Sequence, residues 1–419
     1  MRFGEIPIDE ATGAILAHSW RANGVNFSKG RMLSADDIAK LKAVGVAIVV
    51  AAKLDDEDIH EDEAAASVAK VLAGGGIEVT APFTGRCNHF AREAGLAVVD
   101  RERIDELNEL DESVTVATLP PFARVEPRQM VATVKIIPYA APRTAIARAI
   151  GVAKSANRPL VSVAPFQAMR AGLVQTRLPG TRDKVLDKAV VTTTKRLTSL
   201  GSTLNAERRV AHDAKEIADA LAELKSEGCD LFLIAGASAI VDRHDVVPSG
   251  IEVAGGKVIH FGMPVDPGNL LLIGRVGRTR VLGVPGCARS LRRSGFDFVL
   301  ERLCAGLDVT ADDVMDLGVG GLLHEGPWRP TPRAQPVLPP SVAAVVLAAG
   351  RSQRMGASNK LLERLDGKPL VCHTVDELLQ TGVRPIVVVT GHQSENVRAA
   401  LSGRQVVFVD NPQFADGLS

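Results

Sequence analysis

The chain has 419 residues, enough for about two to four domains of ordinary size. Lysine plus arginine and aspartate plus glutamate each total 49, which excludes an overall basic field that would gather nucleic acid or an anionic membrane. Aliphatic residues supply most of the 46% hydrophobic content and aromatic residues only 4%, a balance typical of helices layered on parallel sheets. We therefore expect an α/β protein.

The cysteines and the apolar segments indicate the compartment. The cysteines form no CxxC pair and have no histidine at a spacing suited to zinc, so we expect free thiols in a reducing environment. The first residues lack a basic region followed by an apolar run, and the sequence holds no apolar stretch of about 18 residues. These features predict a cytoplasmic protein that does not cross a membrane.

Residues 1–175 are predicted to form a mixed α+β region. Short apolar runs alternate with amphipathic segments such as SADDIAKLKAVG at residues 34–45, where Ser34 is placed to cap the first helical turn. The acidic run DDEDIHEDE at residues 55–63 is interpreted as a solvated loop and helix start. Consecutive carboxylates do not converge on one ion, so we do not expect a metal site there.

Residues 176–325 show strands and helices in alternation, a pattern that predicts right-handed βαβ crossovers and a doubly wound, mostly parallel sheet. The predicted strands cover residues 188–194, 229–236, 257–265 and 280–286. The predicted helices cover residues 212–228 and 288–306.

Three loops directly follow strands in this region, and each contains glycine or proline. Taken singly, such loops are ordinary turns. Because the carboxyl ends of parallel strands meet at one sheet edge, together they predict a crevice for an anion and a pterin. Backbone donors would come from residues 236–238 and 286–289, and acceptors from Asp242 and Asp245. The candidate binding residues are Gly236, Ala237, Ser238, Asp242, Asp245, Pro267, Gly268, Asn269, Pro285, Gly286 and Cys287.

Cys287 has two interpretations. A nucleophilic thiol would need a base within reach, for which His244 and His260 are candidates that the sequence cannot place. A structural thiol, or a weak sulfur contact to metal or pterin, is the favoured interpretation.

A proline-rich linker is predicted at residues 326–341. Its core, PWRPTPRAQPVLPP at residues 327–340, has six prolines in fourteen positions, which disfavours helix and central strand. Fully extended, it would reach ~40 Å at ~3.1 Å per residue.

Residues 342–419 are predicted to form part of a Rossmann-like domain. Strands are expected at 343–347, 385–390 and 405–409, with helices at 368–381 and 394–402.

The stretch AVVLAAGRSQRMGASNKLL at residues 344–362 joins the first of these strands to a loop of small residues and three cations. Small side chains let an anion approach the backbone N–H groups, and Arg351, Arg354 and Lys360 add local positive charge. The stretch therefore predicts a cradle for a nucleoside triphosphate. It lacks the GxxxxGK[ST] spacing of a P-loop, so phosphoryl transfer to a hydroxyl is not indicated.

This spacing, with VVVTG at residues 387–391, resembles the nucleotidyltransferases of the molybdenum cofactor cytidylyltransferase family. The resemblance implies that Arg354 and Lys360 act in catalysis, with Lys360 stabilising charge as pyrophosphate leaves, and that Mg²⁺ assists. LAAG and NKLL, where related guanylyltransferases have LAGG and DKGL, favour CTP over GTP. Domains of this family are about twice as long, so we expect a truncated domain. The nucleotide-binding residues implied are Leu347, Ala348, Ala349, Gly350, Arg351, Ser352 and Gly391.

Residues 176–325 resemble the molybdopterin-binding domain of molybdopterin adenylyltransferases and molybdotransferases. Residues 1–175, with EATGAILAHS at 10–19 and KGRMLSADDIAKLKAVG at 29–45, resemble the molybdotransferase accessory region. The chain departs from the pattern at VTTTKRL (191–197) in place of a TGDE-like strand end, at Ala237, and at PGCA in place of PGNP. The lost carboxylates would be metal ligands, so the resemblance implies pterin binding more than catalysis in this half.

The expected function is molybdenum cofactor biosynthesis: the chain binds molybdopterin and transfers CMP from CTP to the pterin phosphate, releasing pyrophosphate. One alternative is a molybdopterin carrier without transferase activity that delivers the cofactor to a molybdenum hydroxylase. Another is cytidylyl transfer to methylerythritol phosphate. No nucleic acid or membrane partner is expected, and homo-oligomerisation stays open.

Overall fold

The computed structural model describes residues 1–22, 24–323, 342–350, 352 and 359–414. The chain divides into two compact units, Met1–Glu325 and Gly326–Ser419. The predicted linker at 326–341 lies outside the described residues. Within the described ranges, no helix is both long and apolar enough to span a bilayer.

The first 53 residues build a small antiparallel sheet with strand order β1-β5-β2. Helix α1 packs its buried Ile38 and Leu41 into the same core. Ser34 accepts a hydrogen bond from the Asp37 N–H and the Asp37 carboxylate accepts one from the Ser34 N–H, which confirms the predicted cap. The elements are β1 (Arg2–Pro7), β2 (Ile15–Leu16), β3 (Trp20–Ala22), β4 (Val25–Phe27), α1 (Ala35–Ala43) and β5 (Ile48–Lys53).

Residues 58–165 form a second layer, in which α2 and α4 pack on the antiparallel sheet β10-β12-β8-β7. The acidic run continues into the first turn of α2, as predicted, but residues 58–60 form strand β6, where a loop was expected. The elements are β6 (Asp58–His60), α2 (Glu61–Leu72), β7 (Ile77–Val79), β8 (Arg86–Ala91), β9 (Gly95–Val99), α3 (Arg101–Glu109), β10 (Val114–Thr118), β11 (Arg124–Val125), β12 (Met130–Ile136), β13 (Ala140–Pro142), α4 (Arg143–Lys154) and β14 (Val161–Pro165).

A six-stranded sheet follows, with strand order β16-β15-β17-β20-β19-β18. The first four strands are parallel, whereas β19 and β18 pair antiparallel at one side. The elements are β15 (Arg170–Arg177), α5 (Asp183–Thr198), β16 (Thr203–Ala211), α6 (Ala214–Ser226), β17 (Leu231–Ala235), α7 (Val246–Val253), β18 (Lys257–Phe261), β19 (Leu272–Val276), β20 (Thr279–Gly283), α8 (Gly295–Cys304) and α9 (Ala311–Met315).

Both faces of this sheet are covered, which confirms the doubly wound, mostly parallel arrangement. Helices α5 and α8 pack on one face through residues such as Leu197 and Phe296. Helices α6 and α7 cover the other face through residues such as Leu221 and Ile251. The carboxyl ends of β15, β17 and β20 therefore meet at one uncovered edge.

The sequence prediction was wrong in two places here. Residues 188–194, predicted as a strand because of their β-branched side chains, lie inside α5, where residues three or four apart are buried against the sheet. The strand that precedes this helix is β15 (Arg170–Arg177). The predicted domain division at residue 175 lies inside β15. The predicted helix 288–306 begins only at Gly295; a short 3-10 turn at Gly286–Arg289 and an extended segment precede it.

The second unit contains the parallel sheet β21-β24-β25, with α10 and α11 packed on one face. All five predicted elements are present within two residues at each end. Their bounds are β21 (Ala344–Ala348), β22 (Arg364–Leu365), β23 (Lys368–Pro369), α10 (Leu370–Gln380), β24 (Ile386–Thr390), α11 (Ser394–Ala400) and β25 (Val407–Asp410).

Candidate functional site

The predicted nucleotide loop leaves the carboxyl end of β21 and contacts the loop that follows β24. The Ala349 carbonyl accepts a hydrogen bond of 3.1 Å from the His392 N–H. A Cβ at Gly391 would lie 2.9 Å from the Ala349 Cβ and 2.6 Å from the Phe414 Cβ, closer than side chains normally approach. Glycine at position 391 therefore lets the two loops meet.

Lys360 lies at the far end of the same loop. Its backbone N–H donates a 3.1 Å hydrogen bond to the Ser352 hydroxyl, and Ser352 has a left-handed backbone with φ of 50°. The buried Asn359 side chain accepts from the Leu361 N–H and so caps the 3-10 turn Lys360–Leu362. These bonds hold Lys360 near the strand end with its side chain exposed.

The other predicted nucleotide-binding residues fall into three groups. Ala349 and Gly350 lie at the strand end, where a phosphate could approach their backbone. Ala348 is buried in the core, and Leu347 directs its 59% exposed side chain to the opposite face of the sheet, so each offers only backbone. Arg351 and Arg354 lie outside the described residues.

Sequence reasoning missed an acidic group at this edge of the sheet. The Asp410 carboxylate ends β25 and accepts hydrogen bonds from Thr390 (2.5 Å), Ser394 (2.9 Å) and Arg398 (2.8 Å). These donors, the Thr390 hydroxyl first, lower the pKa of Asp410 to about 2. The signal was present in the sequence, because Asp410 directly follows a predicted strand.

The described residues supply no ready site for Mg²⁺. They contain no group of three histidine, cysteine, aspartate or glutamate side chains placed to hold a metal. Asp410, the carboxylate at the strand ends, is already bound by a cation and two hydroxyls. Magnesium therefore remains a prediction that these residues do not support.

In the first unit, the structure brings two of the three predicted pterin loops together. Residues 236–240 after β17 and residues 284–286 and 289 after β20 line a crevice of about 90 Å³. The predicted ligand residues Asp242, Asp245 and Cys287 are not part of this lining. The Arg289 side chain crosses it and donates a 3.1 Å hydrogen bond from Nη2 to the Gly236 carbonyl. We call this cavity the upstream crevice.

A chain of polar side chains that the sequence did not reveal supports one wall of the upstream crevice. Thr176, at the end of β15, has its Oγ1 2.8 Å from His212 Nδ1. The other ring nitrogen, Nε2, lies 3.0 Å from the exposed Ser238 Oγ. The imidazole therefore bridges a buried hydroxyl and a hydroxyl that faces the crevice. Thr176 lies near the end of β15, and His212 directly follows β16. The sequence predicted neither strand, so it did not mark these two residues as site residues.

Several predicted donors and acceptors in these loops are already engaged. The Ala237 N–H donates to the Thr176 hydroxyl at 2.8 Å, so it is not available to an anion. Asp245 caps α7 by accepting from the Val246 N–H at 2.7 Å. Asp242 accepts from both the backbone and the side chain of His244, at 2.8 and 2.7 Å. Both aspartates thus already accept hydrogen bonds from the protein, and their role as ligand acceptors stays a prediction.

The third loop, Pro267 to Asn269, packs against the start of α8. The Pro267 carbonyl accepts from the Gly295 N–H at 2.9 Å, and the Asn269 carbonyl accepts from the Met263 N–H at 2.9 Å. Only the following residue, Leu270, lines the upstream crevice. Residues 267–269 therefore do not line the upstream crevice themselves.

Arg196, in the helix that was predicted as a strand, holds the loop after β20 in place. Its guanidinium is buried and donates to the Asp297 carboxylate (2.6 Å) and to the carbonyls of Ala288 (2.7 Å) and Ser290 (2.5 Å). A guanidinium with fixed donors can satisfy several carbonyls at once, which suits it to ordering an irregular segment.

Cys287 is a half-buried thiol in this ordered segment. Burial raises its pKa above the ordinary cysteine value, which disfavours the reactive thiolate. The structural interpretation is therefore favoured over the nucleophilic one. All five cysteines are free.

The comparisons with known proteins first define the class of the second unit. Residues 344–419 match the family described as MobA-like NTP transferase domain. The second unit is thus nucleotidyltransferase-like. Residues 5–53 match a family described as Domain of unknown function (DUF8806).

Two named relatives are similar to part of the chain. The bifunctional protein GlmU of Anaeromyxobacter sp. (strain K) is 48% identical over 62 residues, which are 15% of this chain and 13% of that protein. A nucleotidyl transferase from Methanothermobacter is 36% identical, with 18% of this chain and 39% of that chain covered and a TM-score of 0.17. The chain thus spans a minor part of these relatives.

A solved structure also matches part of the chain outside the nucleotidyltransferase-like unit. The molybdopterin biosynthesis enzyme MoaB from Thermus thermophilus is 20% identical, with 33% of this chain and 97% of that chain covered and a TM-score of 0.26.

Proposed function

We propose that this protein acts in molybdenum cofactor biosynthesis, binding molybdopterin in the first unit and transferring a cytidylyl group from CTP to the pterin phosphate in the second. The domain divisions at 325 and 341 and the site residues named above belong to this proposal, with the division predicted at 175 moved to precede β15, which begins at Arg170. The cytoplasm is the expected compartment.

The observation that carries the proposal is the strand-end arrangement of residues 349–350, Ser352, Lys360 and Gly391, in a segment that matches an NTP transferase family. Exposed backbone at the carboxyl edge of a parallel sheet, with a lysine held beside it, suits a polyphosphate.

The proposed reaction is an in-line displacement at the α-phosphorus of CTP. A phosphate oxygen of the pterin forms the new P–O bond, and the bond to the β-phosphate oxygen breaks, so that pyrophosphate leaves. Lys360 would stabilise the negative charge that develops on the leaving group. No step is assigned to Mg²⁺, because the described residues do not form a site for it.

The test is pyrophosphate release from the full chain incubated with CTP, Mg²⁺ and molybdopterin. We expect release with CTP and little with GTP. Lys360→Ala should reduce release by at least about 100-fold, the effect typical of a group that stabilises transition-state charge, and should leave pterin binding unchanged.

Arg364→Ala is the matched control, because Arg364 is an exposed cation four residues away whose guanidinium donates, among the described residues, to the Gly367 carbonyl. It should retain full release. Retained turnover in Lys360→Ala would refute the role of that lysine, and equal rates with GTP would refute the choice of nucleotide.

The alternative, a molybdopterin carrier that delivers the cofactor to a molybdenum hydroxylase, is favoured by one observation. None of the described residues that line the upstream crevice is an aspartate or glutamate, and Asp242 and Asp245, which follow this loop, accept hydrogen bonds from His244 and Val246. Saturable pterin binding without pyrophosphate release would support the carrier.

A further inference from the structure

A second cavity lies at the opposite edge of the six-stranded sheet from the upstream crevice. It has a volume of about 620 Å³ and is lined by the residues where β15, β17 and β20 begin. Ala171, Leu231 and Arg280 are register partners near those strand starts. β17 is five residues long, so the two cavities are separated by about 16 Å of strand. We call this cavity the arginine crevice.

The charged lining of the arginine crevice is unbalanced. Three arginines and two aspartates line it, a net formal charge of +1; Arg280 pairs with Asp308 at 2.5 Å, and the charged Asp230 accepts the Arg170 backbone N–H at 2.8 Å. Arg275 and Arg278, on the hairpin between β19 and β20, have no ion-pair or side-chain hydrogen-bond partner within the described ranges. Two guanidinium groups thus remain available at its rim.

The strand register adds a third cation on the same face. Arg275 lies directly opposite Arg280 on one side and directly opposite Lys257 on the other. Like charges at directly opposed positions destabilise an antiparallel pair. Only one of these three cations, Arg280, has a carboxylate partner among the residues that the structure describes. A bound anion would reduce the electrostatic repulsion within this row of cations.

The floor of the arginine crevice is apolar. Ile259, 38% exposed, lies on β18 beside the row of cations. The other apolar side chains that line the cavity are Met169, Ile273, Leu303, Val309 and Ala311. Ligand sites are commonly cavities of about 300–1,000 Å³ with apolar walls and a few polar groups, and this cavity lies within that range.

We propose that the arginine crevice binds a small organic phosphate, with the phosphate at Arg275 and Arg278 and a ring or apolar body on the floor. A phosphate offers three oxygens to the guanidinium groups of Arg275 and Arg278, whereas a carboxylate offers two, and Lys257, the register partner of Arg275, adds positive charge nearby. This site is separate from both sites of the proposed function and does not depend on it.

The test is a fluorescence titration of the full chain with 1-naphthyl phosphate, a phosphate monoester with a flat apolar body. We expect saturable binding that weakens at least tenfold in the double variant Arg275→Gln, Arg278→Gln. Ile259→Ser should weaken 1-naphthyl phosphate but leave competition by inorganic phosphate unchanged. 1-Naphthoate should bind more weakly than the phosphate.

Three matched variants locate the bound probe. Arg92→Gln removes an exposed arginine elsewhere in the first unit, Arg289→Gln alters the upstream crevice, and Lys360→Ala alters the nucleotide loop. All three should bind the probe as the unmodified chain does. A loss in Arg289→Gln or Lys360→Ala equal to that of the double variant would overturn the proposal. Absence of saturable binding by the unmodified chain up to about 1 mM, a free energy of only about −4 kcal/mol, would also overturn it.

Discussion

The two parallel sheets of this chain differ in how their faces are covered. The six-stranded sheet has helices on both faces and buried side chains on both, such as Leu233 on one and Phe232 on the other. The sheet of the second unit buries one face under α10 and α11. Its other face carries apolar residues in register across three strands, exposed on β21 and β25 and half-buried on β24, and no described element covers it. These residues are Val345 and Leu347 on β21, Val387 and Val389 on β24, and Val407 and Val409 on β25.

The difference shows that apolar residues can form parallel strands even where only one face of the sheet is buried. The central strands of both sheets, β17 and β24, are near-continuous apolar runs, the pattern of parallel strands that are covered on both sides. In the second unit this pattern is present while only one face is buried in the described structure. The open face is therefore a place where apolar side chains contribute little to stability but can bind apolar molecules.

The largest expected effect is in the doubly covered sheet. Phe232→Ala removes a fully buried ring from the face under α6 and α7 and should lower the free energy of unfolding by about 3–5 kcal/mol. Leu347→Ala, on the open face, should change it by no more than about 0.5 kcal/mol. Urea denaturation followed by circular dichroism measures both. Equal losses in the two variants would contradict the comparison.

The second largest effect is expected at Arg196, whose buried guanidinium connects α5 to the loop after β20. Arg196→Met leaves the Asp297 carboxylate without its cation and two carbonyls without donors, and should destabilise the first unit by about 3 kcal/mol. Hydrogen exchange at residues 286–294 should accelerate. Arg182→Met, at an exposed arginine just before the same helix, is the control and should leave both quantities unchanged.

A smaller effect is expected from charging the open face. Leu347→Lys with Val409→Lys should change stability by no more than about 0.5 kcal/mol per site, because both side chains are largely exposed. Binding of the dye 8-anilinonaphthalene-1-sulfonate should nevertheless fall. Gln380→Lys, at an exposed position at the end of α10, should leave dye binding unaltered. Unchanged dye binding in the double variant would show that this face does not bind apolar molecules.

The smallest effect concerns pH. Donors from Thr390, Arg398 and Ser394 lower the pKa of Asp410 in the folded chain to about 2, below the value of about 3.9 for a free aspartate. Its contribution to stability is therefore present above pH ~4 and is lost as the pH falls towards ~2. Asp410→Asn should flatten the stability profile of the second unit over this window, most visibly at low salt because the carboxylate is exposed. Asp366→Asn, at an exposed turn, should retain the original profile.

Local patterns were sufficient to predict the second unit. Each strand is short and apolar, each helix is amphipathic, and the small-residue loop lies between them in sequence, so neighbouring residues carry the information. The contact of Ala349 with Gly391 follows from the general rule that the ends of adjacent parallel strands share an edge.

The upstream crevice was predictable only in part. The loops at 236–238 and 285–289 could be predicted because each directly follows an apolar strand. Thr176 and His212 could not, because their strands carry polar or charged residues such as Gln175 and Arg209 that obscure the apolar pattern. Thr176 contacts His212 and Ala237, and His212 contacts Ser238. The partners in each pair are at least 26 residues apart in the chain, so these contacts depend on strand order.

The sequence alone determined the α/β class, the cap of α1, the elements of the second unit and the loop in which Lys360 lies, because short-range spacing encodes each of them. Only the tertiary structure decided that residues 188–194 are helical, that His212 bridges Thr176 and Ser238, and that Arg275 lies between two other cations. The physical reason is that these features depend on contacts between segments distant in the chain, where packing and strand register outweigh local propensity.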